Sequence, residues 1–404
     1  MPARLLTTDS ELIPEILPTD SRLFVSGEVA DFLDIISRAL RVVPAKESIP
    51  GTAHVLLEAK PRKGGTHSHL RATGTDGSIT VSSVGQDIEV TREGAALIPG
   101  QKFLTILKMA PKDTISINVV GNQALLRSGK AQWRVQLAPG DSLPSIPDIS
   151  VLDQVEIQRL PFLRALKSAV LAASHLPARA SLMQVHVFKG AITAMDGNRL
   201  HRAHFSTSDD ALNMSIPLST CLEVIKLLES SSEEHVLIGS SRKTMAFLVD
   251  TDYIVSSALV TDFPEVEPIL VRAGMQARYE FTVDAQELKS AVQHVRVNAD
   301  PDYSAIFLTL EHSTRDGQFL SVRSLDQQGN SAYEQIDVTW DGGQDTRELC
   351  VNHRNLTDLL DCFGDEPVSF KVGEDFQSVK SPLLVESDSR FTGLLQQMRS
   401  DYLT

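Results

Sequence analysis

The chain has 404 residues, enough for two to four domains with hydrophobic cores of their own. Its shares of 42% hydrophobic and 22% charged residues are typical of a soluble globular protein and exclude a disordered or fibrous chain. The formal net charge of −14 argues against a basic protein that coats nucleic acid. It leaves room for a protein that keeps its positive charge on a single inner face.

Membrane insertion and secretion are also disfavoured by the sequence. No apolar run approaches the length of a membrane helix, and the N-terminus does not resemble a signal peptide. Cys221, Cys350 and Cys362 are odd in number and form no Cys-x-x-Cys pair, so we expect reduced thiols in a cytoplasmic protein. Residues 1–21 are polar and interrupted by proline, which is typical of a flexible N-terminal arm.

Three segments of the chain begin with a short strand that runs into an amphipathic helix. They span Phe24–Val43, Ile157–Ala173 and Phe281–Val297, and each has apolar residues at helical spacing. The second and third segments share the string Leu-Lys-Ser-Ala-Val, at Leu166–Val170 and Leu288–Val292. The shared string within a shared pattern indicates an internal repeat.

Alternating strands and a tight turn follow each of these helices. Asp76-Gly77 marks the turn in the first copy and Asp196-Gly197 marks it in the second. In the third copy Asp326 holds the same place, but no glycine follows it directly. On its own, the second turn would be interpreted as an ordinary hairpin. Because it recurs in the repeat and continues into Arg199 and Leu200, it is also a candidate for a functional surface.

A second helix is predicted in every copy, after the turn. In the first two copies it opens at Pro99 and Pro217, which suit a first helical turn, and in the third Asn352 is a suitable N-cap. Proline-rich exits at Asp141–Pro147 and Asp262–Pro268 then predict linkers. The repeats therefore predict an α+β chain of three homologous domains, each with two helices packed on antiparallel sheets: residues 22–149, 150–271 and 272–404.

Catalytic constellations are not evident in the sequence. His67 and His69 could bind a metal, but no acidic residue or cysteine stands close enough to complete a site, and a solvated hairpin tip is the better interpretation. There is no phosphate-binding loop, nucleophile elbow or zinc-binding helix motif. Asp196 precedes a glycine in a turn, where aspartate usually caps its own backbone. We therefore expect a protein that is not an enzyme and needs no metal or cofactor.

Basic residues gather on the predicted helices at matching places in the repeats, although the whole chain is acidic. Charges on a helix usually mark its solvated face. This distribution also suits a surface that meets DNA phosphates without reading the bases. The candidate DNA-facing residues are Lys102, Lys108, Lys112, Arg159, Arg164, Lys167, Arg179, Lys289, Arg296 and Arg354.

With its triplicate pattern, the chain resembles the bacterial DNA polymerase III beta subunit, or sliding clamp, family. Ile98–Leu107, Ala194–Leu200 and Asp262–Pro264 carry the resemblance, which extends over about Arg22 to Arg399. It implies two subunits joined head to tail in a ring around double-stranded DNA, with helices inside and sheets at the rim. Two subunits of three domains with two helices each, at ~10 Å per helix, would enclose a hole roughly 38 Å across. A hydrated duplex fits through such a hole.

The resemblance also implies a ring-shaped processivity factor that tethers partners. Its partners would be the alpha subunit of the replicative DNA polymerase, the clamp loader and other proteins with a clamp-binding motif, and no membrane. A hydrophobic groove between the second and third domains would bind a short peptide from each of them. By position, the groove residues are Leu182, Met195, Gly197, Asn198, Arg199, Leu200, Pro264, Pro268, Ile269, Leu394, Gln396, Met398 and Arg399.

Several groove positions depart from the family pattern. The family usually ends in Met-Pro-Met/Val-Arg-Leu, whereas this chain has Gln396–Arg399 followed by Ser400–Thr404. Met195 replaces a common threonine, and Pro268 stands where basic residues are frequent. These departures predict a narrower groove or a variant peptide, and they fit a divergent or phage-borne member. The alternative function is a clamp-like interaction or decoy protein that binds partner peptides and is never loaded on DNA.

Overall fold

The structure, a computed structural model, describes residues 21–61, 68–205, 212–259, 261–313, 317–341, 346–374, 380–387 and 390–399. Residues 1–20 of the predicted arm, His67 and Ser400–Thr404 lie outside the described residues. The chain forms two compact units. Unit 1 comprises the chain up to Glu156 together with Ser230–Ser257, and unit 2 comprises Ile157–Glu229 with the chain from Ala258 onwards. The division into three domains stays a prediction.

The described part of the chain contains both antiparallel strands and helices. The strands are β1 (Ser21–Glu28), β2 (His54–Pro61), β3 (Ser68–Thr75), β4 (Ile79–Gly85), β5 (Glu89–Arg92), β6 (Gly94–Pro99), β7 (Thr114–Val120), β8 (Gln123–Ser128), β9 (Ala131–Gln136), β10 (Asp153–Gln158), β11 (Gln184–Phe188), β12 (Ala191–Met195), β13 (Arg199–His204), β14 (Asn213–Pro217), β15 (His235–Ser240), β16 (Thr244–Val249), β17 (Asp252–Ser257), β18 (Tyr279–Asp284), β19 (Ala305–Ser313), β20 (Gly317–Leu325), β21 (Ser331–Asp337), β22 (Thr339–Trp340), β23 (Arg347–Asn352), β24 (Pro367–Val372), β25 (Leu383–Glu386) and β26 (Phe391–Leu395). The α-helices are α1 (Val29–Ala39), α2 (Gly100–Lys108), α3 (Arg159–Val170), α4 (Leu218–Glu229), α5 (Glu267–Gln276), α6 (Ala285–Val295) and α7 (His353–Leu360). An α+β fold is thereby confirmed.

The predicted pair of helices in each repeat is present. In α1, Phe32, Ile35 and Ile36 form the buried face, as their spacing requires, and they pack into one core with Phe103 and Leu107 of α2. The third repeat shows the cap that the sequence predicts. The Asn352 side chain accepts hydrogen bonds from the backbone N–H groups that open α7.

Two features differ from the sequence-based expectation. The exit at Asp262–Pro268 leads directly into helix α5, where a linker was predicted. The turn of the third repeat is longer than in the other copies, because Asp326 accepts hydrogen bonds from the backbone of Gln328 and Asn330. Gly329 supplies the left-handed residue of this turn, with φ +85°. The third copy therefore keeps a glycine in its turn, two residues further from the aspartate than in the other copies.

Unit 1 contains an eight-stranded sheet that combines strands from two repeats. Its order is β10-β15-β16-β17-β4-β3-β2-β6, so β17 of the second repeat pairs with β4 of the first. In this antiparallel junction Tyr253 lies opposite Ser82, and Val255 lies opposite Thr80. A separate five-stranded sheet has the order β5-β1-β7-β8-β9.

Unit 2 repeats this arrangement with the next pair of repeats. Its nine-stranded sheet has the order β14-β11-β12-β13-β26-β25-β24-β18-β22, so β26 of the third repeat pairs with β13 of the second. His201 lies opposite Gly393 in that junction. A four-stranded sheet has the order β21-β20-β19-β23. The same junction between consecutive repeats therefore occurs in both units.

Eight strands are sheet edges within the described part of the chain, and β9 and β21 are two of them. We call β9, β17 and β26 the last strands of their repeats, and β4, β13 and β21, which follow the tight turns, the receiving strands. Two last strands pair with receiving strands, whereas β9 and β21 are sheet edges. Exposed edges invite pairing with another chain.

The packing of α1 on the sheet of unit 1 requires a glycine at position 74. A Cβ atom there would lie 2.1 Å from the carbonyl oxygen of Ala39. We expect Gly74→Ala to lower the free energy of unfolding of unit 1 by about 1–3 kcal/mol, because α1 must shift. Urea denaturation followed by circular dichroism measures this loss. Gly140→Ala is the matched control, since a Cβ there meets nothing within 4 Å. Equal stability of the two variants would contradict the packing.

Candidate peptide groove and basic helix surface

The turn between β12 and β13 is built by one aspartate. Asp196 Oδ1 accepts hydrogen bonds from the backbone N–H groups of Asn198 (2.8 Å) and Arg199 (3.1 Å). Gly197 has φ +94°, a left-handed conformation that glycine adopts without strain. Asp76 closes the equivalent turn of the first repeat in the same way. Both turns therefore use their aspartate structurally.

Arg179 covers this turn from the outside. Its Nη1 donates to the carbonyl oxygen of Asp196, and a Cβ atom at Gly197 would lie 2.6 Å from the same nitrogen. The positive φ thus favours glycine at position 197, and the guanidinium packs closely over it. Arg179, predicted as DNA-facing, is an exposed residue that contacts the turn of the predicted groove.

Arg199 is held between two carboxylates. Its Nε lies 3.2 Å from Asp196 Oδ2, and its Nη1 donates to Asp358 on α7. The side chain is only 12% exposed. Because it bridges the turn to a helix of the next repeat, Arg199 fixes one wall of the predicted groove.

Four apolar side chains form the floor of the predicted groove, and we call them the groove cluster: Met195, Leu200, Leu384 and Leu394. Leu394 lies between the other two leucines, opposite Leu200 on β13 and opposite Leu384 on β25. The three leucines are buried and Met195 is partly buried against them. Two repeats therefore contribute to one apolar floor, inside unit 2.

The exit segment and the end of β26 supply other predicted groove residues. Pro264 is half-buried, whereas Pro268 and Ile269 are exposed in the first turn of α5. The backbone N–H of Gln396 donates to the carbonyl oxygen of Asn198 (2.8 Å), which extends the pairing of β26 towards the turn.

The remaining three predicted groove residues lie elsewhere in unit 2. Leu182 is buried at the end of the 3₁₀ segment Pro177–Leu182. Met398 packs in a cluster with Phe307 and Cys350 of the third repeat, and Arg399 is exposed. The structure thus brings Met195, Leu200 and Leu394 into one cluster and places Met398 in a different one.

Sequence reasoning missed the residues that face the groove cluster from the other side. Val266 just before α5 and Leu270 and Ala273 on the helix pack against this cluster. Leu384, which belongs to the cluster, was also not predicted. The first three residues are spaced at i, i+4 and i+7, which is the signal of an amphipathic helix and was available in the sequence. The prolines of the exit segment concealed it, although Pro268 in the first turn is compatible with a helix.

Behind the groove, the buried His201 contacts the partly buried Cys362. His201 Nδ1 lies 2.8 Å from the carbonyl oxygen of Ser168 and 3.7 Å from the Cys362 sulfur, and the imidazole stands edge-on to Phe391. Burial lowers the pKa of His201 to about 4. Burial also raises the pKa of Cys362 to about 12. Both groups are neutral near pH 7, so they serve packing rather than proton transfer.

Eight of the basic candidates expose their side chains to solvent, and two of these, Lys167 and Arg179, also bond to other groups of the chain. The other six are Lys102, Lys108, Lys112, Arg164, Arg296 and Arg354. Lys102 and Lys108 lie nearly two turns apart on α2, and Arg164 lies on α3. Exposed cations of this kind are free to approach phosphates at the cost of little desolvation.

Three of the other basic candidates have partners within the chain. Lys167 Nζ lies 2.9 Å from Glu229 Oε1, and Lys289 pairs with Asp361. Arg159 is only 9% exposed and donates from Nη1 to the carbonyl oxygen of Leu228 (2.7 Å). Its guanidinium therefore joins α3 to the end of α4 and is not presented to a phosphate in this conformation.

The described residues offer little for metal binding or membrane insertion. Among them, no group of three or more His, Cys, Asp or Glu side chains is placed to hold a metal ion. None of the described helices is long and apolar enough to cross a membrane.

Known proteins resemble both the sequence and the fold. A family model of the N-terminal domain of the DNA polymerase III beta subunit matches residues 24–147. The beta sliding clamp of Haemophilus influenzae is 22% identical over 359 residues, which cover 86% of this chain and 92% of that protein. The crystal structure of the C. crescentus beta sliding clamp superposes with a TM-score of 0.82 at 19% identity, covering 93% of this chain and 99% of that chain. A sliding clamp from Bartonella birtlesii bound to griselimycin gives 0.80 at 20% identity, with the same coverage.

The repeated α+β architecture, with sheets shared between consecutive repeats, is the fold of the DNA clamps. Residues 24–147 thus match the DNA polymerase III beta subunit family, and most of the chain is similar to beta sliding clamps in sequence and in fold.

Burial of His201 predicts a pH dependence of stability. The pKa of about 4 in the folded protein lies below the unfolded value of 6.5, so the unfolded chain binds the proton first. The stabilising contribution is complete above pH 6.5, and about 3 kcal/mol is lost as the pH falls from 6.5 to about 4. We expect His201→Asn to show a shallower loss of stability over this range in urea titrations.

The control for this measurement is His175→Asn, at an exposed position. It should follow the pH profile of the wild type. An unchanged profile in His201→Asn would contradict the assignment of the pH dependence to the buried imidazole.

Proposed function

We propose that two copies of this chain form a closed ring around double-stranded DNA and act as a DNA sliding clamp. The ring is a non-catalytic processivity factor of DNA replication in the cytoplasm. It tethers the alpha subunit of the replicative polymerase, the clamp loader and other clamp-binding proteins through the groove cluster and its surroundings. One observation carries this proposal: consecutive repeats share sheets, and the first and last repeats each keep an edge for the same junction.

The two free edges are complementary by their places in the repeat. The junctions β17–β4 and β26–β13 each join a last strand to a receiving strand, in antiparallel pairing. The last strand β9 and the receiving strand β21 are the corresponding edges left over. They belong to the first and third repeats, so their pairing joins two copies head to tail and covers these two edges.

The observed junction also gives the register of this pairing. In the observed junction Tyr253 lies opposite Ser82. Counted from the hairpin turns, Gln132 on β9 is equivalent to Tyr253, and Tyr333 on β21 is equivalent to Ser82. Gln132 of one subunit is therefore expected opposite Tyr333 of the other. Tyr333 is 56% exposed on β21, although its hydroxyl lies 3.0 Å from Ser321 Oγ. An aromatic side chain on an exposed strand gains contact area when a second strand covers it.

Binding to DNA in this proposal is electrostatic and independent of sequence. The exposed Lys102, Lys108 and Arg164 would meet phosphates across water, as a sliding ring requires. The acidic remainder of the surface limits other contacts with nucleic acid. Lys112, Arg296 and Arg354 extend the exposed set, whereas Lys167 and Lys289 would have to leave their carboxylate partners.

Peptide binding rests on the groove cluster. Its leucines form an apolar floor beside the Asp196–Arg199 turn, whose polar groups can orient a bound peptide. Large apolar anchors such as Leu or Phe suit such a floor. The Bartonella birtlesii relative has been crystallised with griselimycin bound.

Retention on DNA tests the ring directly. We would load the protein onto a nicked circular plasmid with a compatible clamp loader and ATP, then compare the same plasmid cut once, at a salt concentration that removes ordinary electrostatic binders. A ring stays on the circle and leaves the linear form quickly. Equal loss from both, with a loader that is active on its own clamp, would instead support a decoy that binds only peptides.

The same assay tests the basic surface. The triple variant Lys102→Glu, Lys108→Glu, Arg164→Glu should load poorly. The slope of the logarithm of its DNA-binding constant against the logarithm of salt concentration should become shallower by up to about 2.7, which is about 0.9 per lost phosphate contact. The matched control Lys130→Glu, Arg242→Glu, Lys243→Glu changes three exposed cations in hairpin turns by the same total charge. Equal loading of the two triple variants would contradict a role for these helices.

A further inference from the structure

Helix α5 covers the floor of the groove with its one apolar face. Val266, Leu270 and Ala273 lie on that face and pack on Leu200, Leu384 and Leu394. In the proposed function, these three leucines form the floor that receives the apolar side chains of a partner peptide. The apolar floor is thus already in contact with a segment of the same chain.

The attachments of α5 are strong at its ends and weak along its length. Before the helix, Phe263 stacks on His186 with ring centroids 5.3 Å apart, and after it the backbone N–H of Arg278 donates to the carbonyl oxygen of Val372 (2.9 Å). In between, Arg202 Nη1 pairs with Glu267 Oε2 (2.6 Å) at the start of the helix, and that carboxylate is largely exposed. An exposed ion pair adds little stability.

The helix itself is poorly stabilised by its sequence. Its N-cap position, Val266, makes no side-chain capping bond, and Gly274 interrupts the last turns. Ala273 is its single fully buried residue, whereas Met275 is 74% exposed. Elements with few buried contacts open at low free-energy cost.

We propose that α5 is a lid on the peptide groove, closed in the free protein and displaced when a partner peptide binds. The inference rests on the proposed function, because it assigns a regulation to the same groove. Peptide anchors and the face of α5 compete for Leu200, Leu384 and Leu394. The firmly held ends keep the segment attached while the helix unwinds from the floor, and the affinity for a peptide is reduced by the cost of opening.

The alternative is that α5 is a fixed wall that contributes to binding. The two possibilities predict opposite effects of the same substitutions. Loosening a lid tightens peptide binding, whereas loosening a wall weakens it. Stiffening the helix weakens binding to a lidded groove and leaves a walled groove unchanged or slightly improved.

One substitution loosens α5 and another stiffens it, and neither replaces a predicted groove residue. Leu270→Ala removes most of the apolar contact of the lid, and we expect about ten-fold tighter peptide binding. Gly274→Ala favours the helix by about the difference in helix propensity between the two residues, and we expect binding up to about five-fold weaker. The new methyl group fits, because its nearest neighbour is Leu384 Cδ2 at 3.9 Å.

The experiment is a fluorescence polarisation titration of the full chain with a fluorescein-labelled peptide that carries adjacent Leu and Phe anchors. Leu222→Ala, on the exposed side of α4, is the control for leucine truncation, and Gly140→Ala is the control for the glycine replacement. Both controls should bind like the wild type. Hydrogen exchange of the α5 amides provides a second measurement, and exchange should become faster when the peptide is bound.

The outcomes separate the lid from the proposed function. Weaker binding by Leu270→Ala, or slower exchange of α5 in the complex, overturns the lid while peptide docking stands. Binding by Leu270→Ala but not by the wild type supports a lid that is almost always closed. Absence of binding by the wild type and by every variant, to the peptide and to griselimycin alike, overturns peptide docking and the lid together.

Discussion

The pairing of a last strand with a receiving strand is the constraint on which the rest of the structure depends. The first and second repeats each pair their receiving strand with the last strand of the next repeat, which satisfies backbone groups that would otherwise lie at a sheet edge. This junction occurs once in each unit, at β17–β4 and at β26–β13. Three repeats in one chain can make only two junctions. In the proposed head-to-tail ring, a second copy supplies the third junction.

The same junction builds the groove. Because β13 and β26 pair, Leu200 and Leu394 come from different repeats yet lie opposite each other. The Asp196–Arg199 turn then sits at the end of the junction, and Asp358 on α7 holds its arginine. A site for partners therefore arises where repeats meet. The segment that connects those repeats folds as α5 and packs on the same cluster. In our proposal this connecting helix therefore also regulates access to the groove.

The sequence predicted the repeat, the helix pairs and the asparagine cap of α7, because periodicity and capping are local signals. It predicted Met195, Leu200 and Leu394 together only through the family resemblance. It could not show that Arg159 is buried against Leu228, since a helical arginine has the same local pattern whether it faces solvent or a neighbouring helix. Leu384 was missed for a similar reason: its role depends on pairing with a strand that comes later in the chain.

The central claim is that β9 of one copy pairs with β21 of another. The most direct measurement is disulfide cross-linking of the variant Gln132→Cys, Tyr333→Cys under mild oxidation, in solution and after loading on a nicked plasmid. Cys221 and Cys350 are buried, and Cys362, which is partly exposed, is replaced by serine in every variant to remove background. Our account predicts a covalent dimer that stays on the circular DNA in denaturant, and much less product from Gln132→Cys, Asp337→Cys, which is out of register. Monomer alone, or equal product from both variants, would contradict the account.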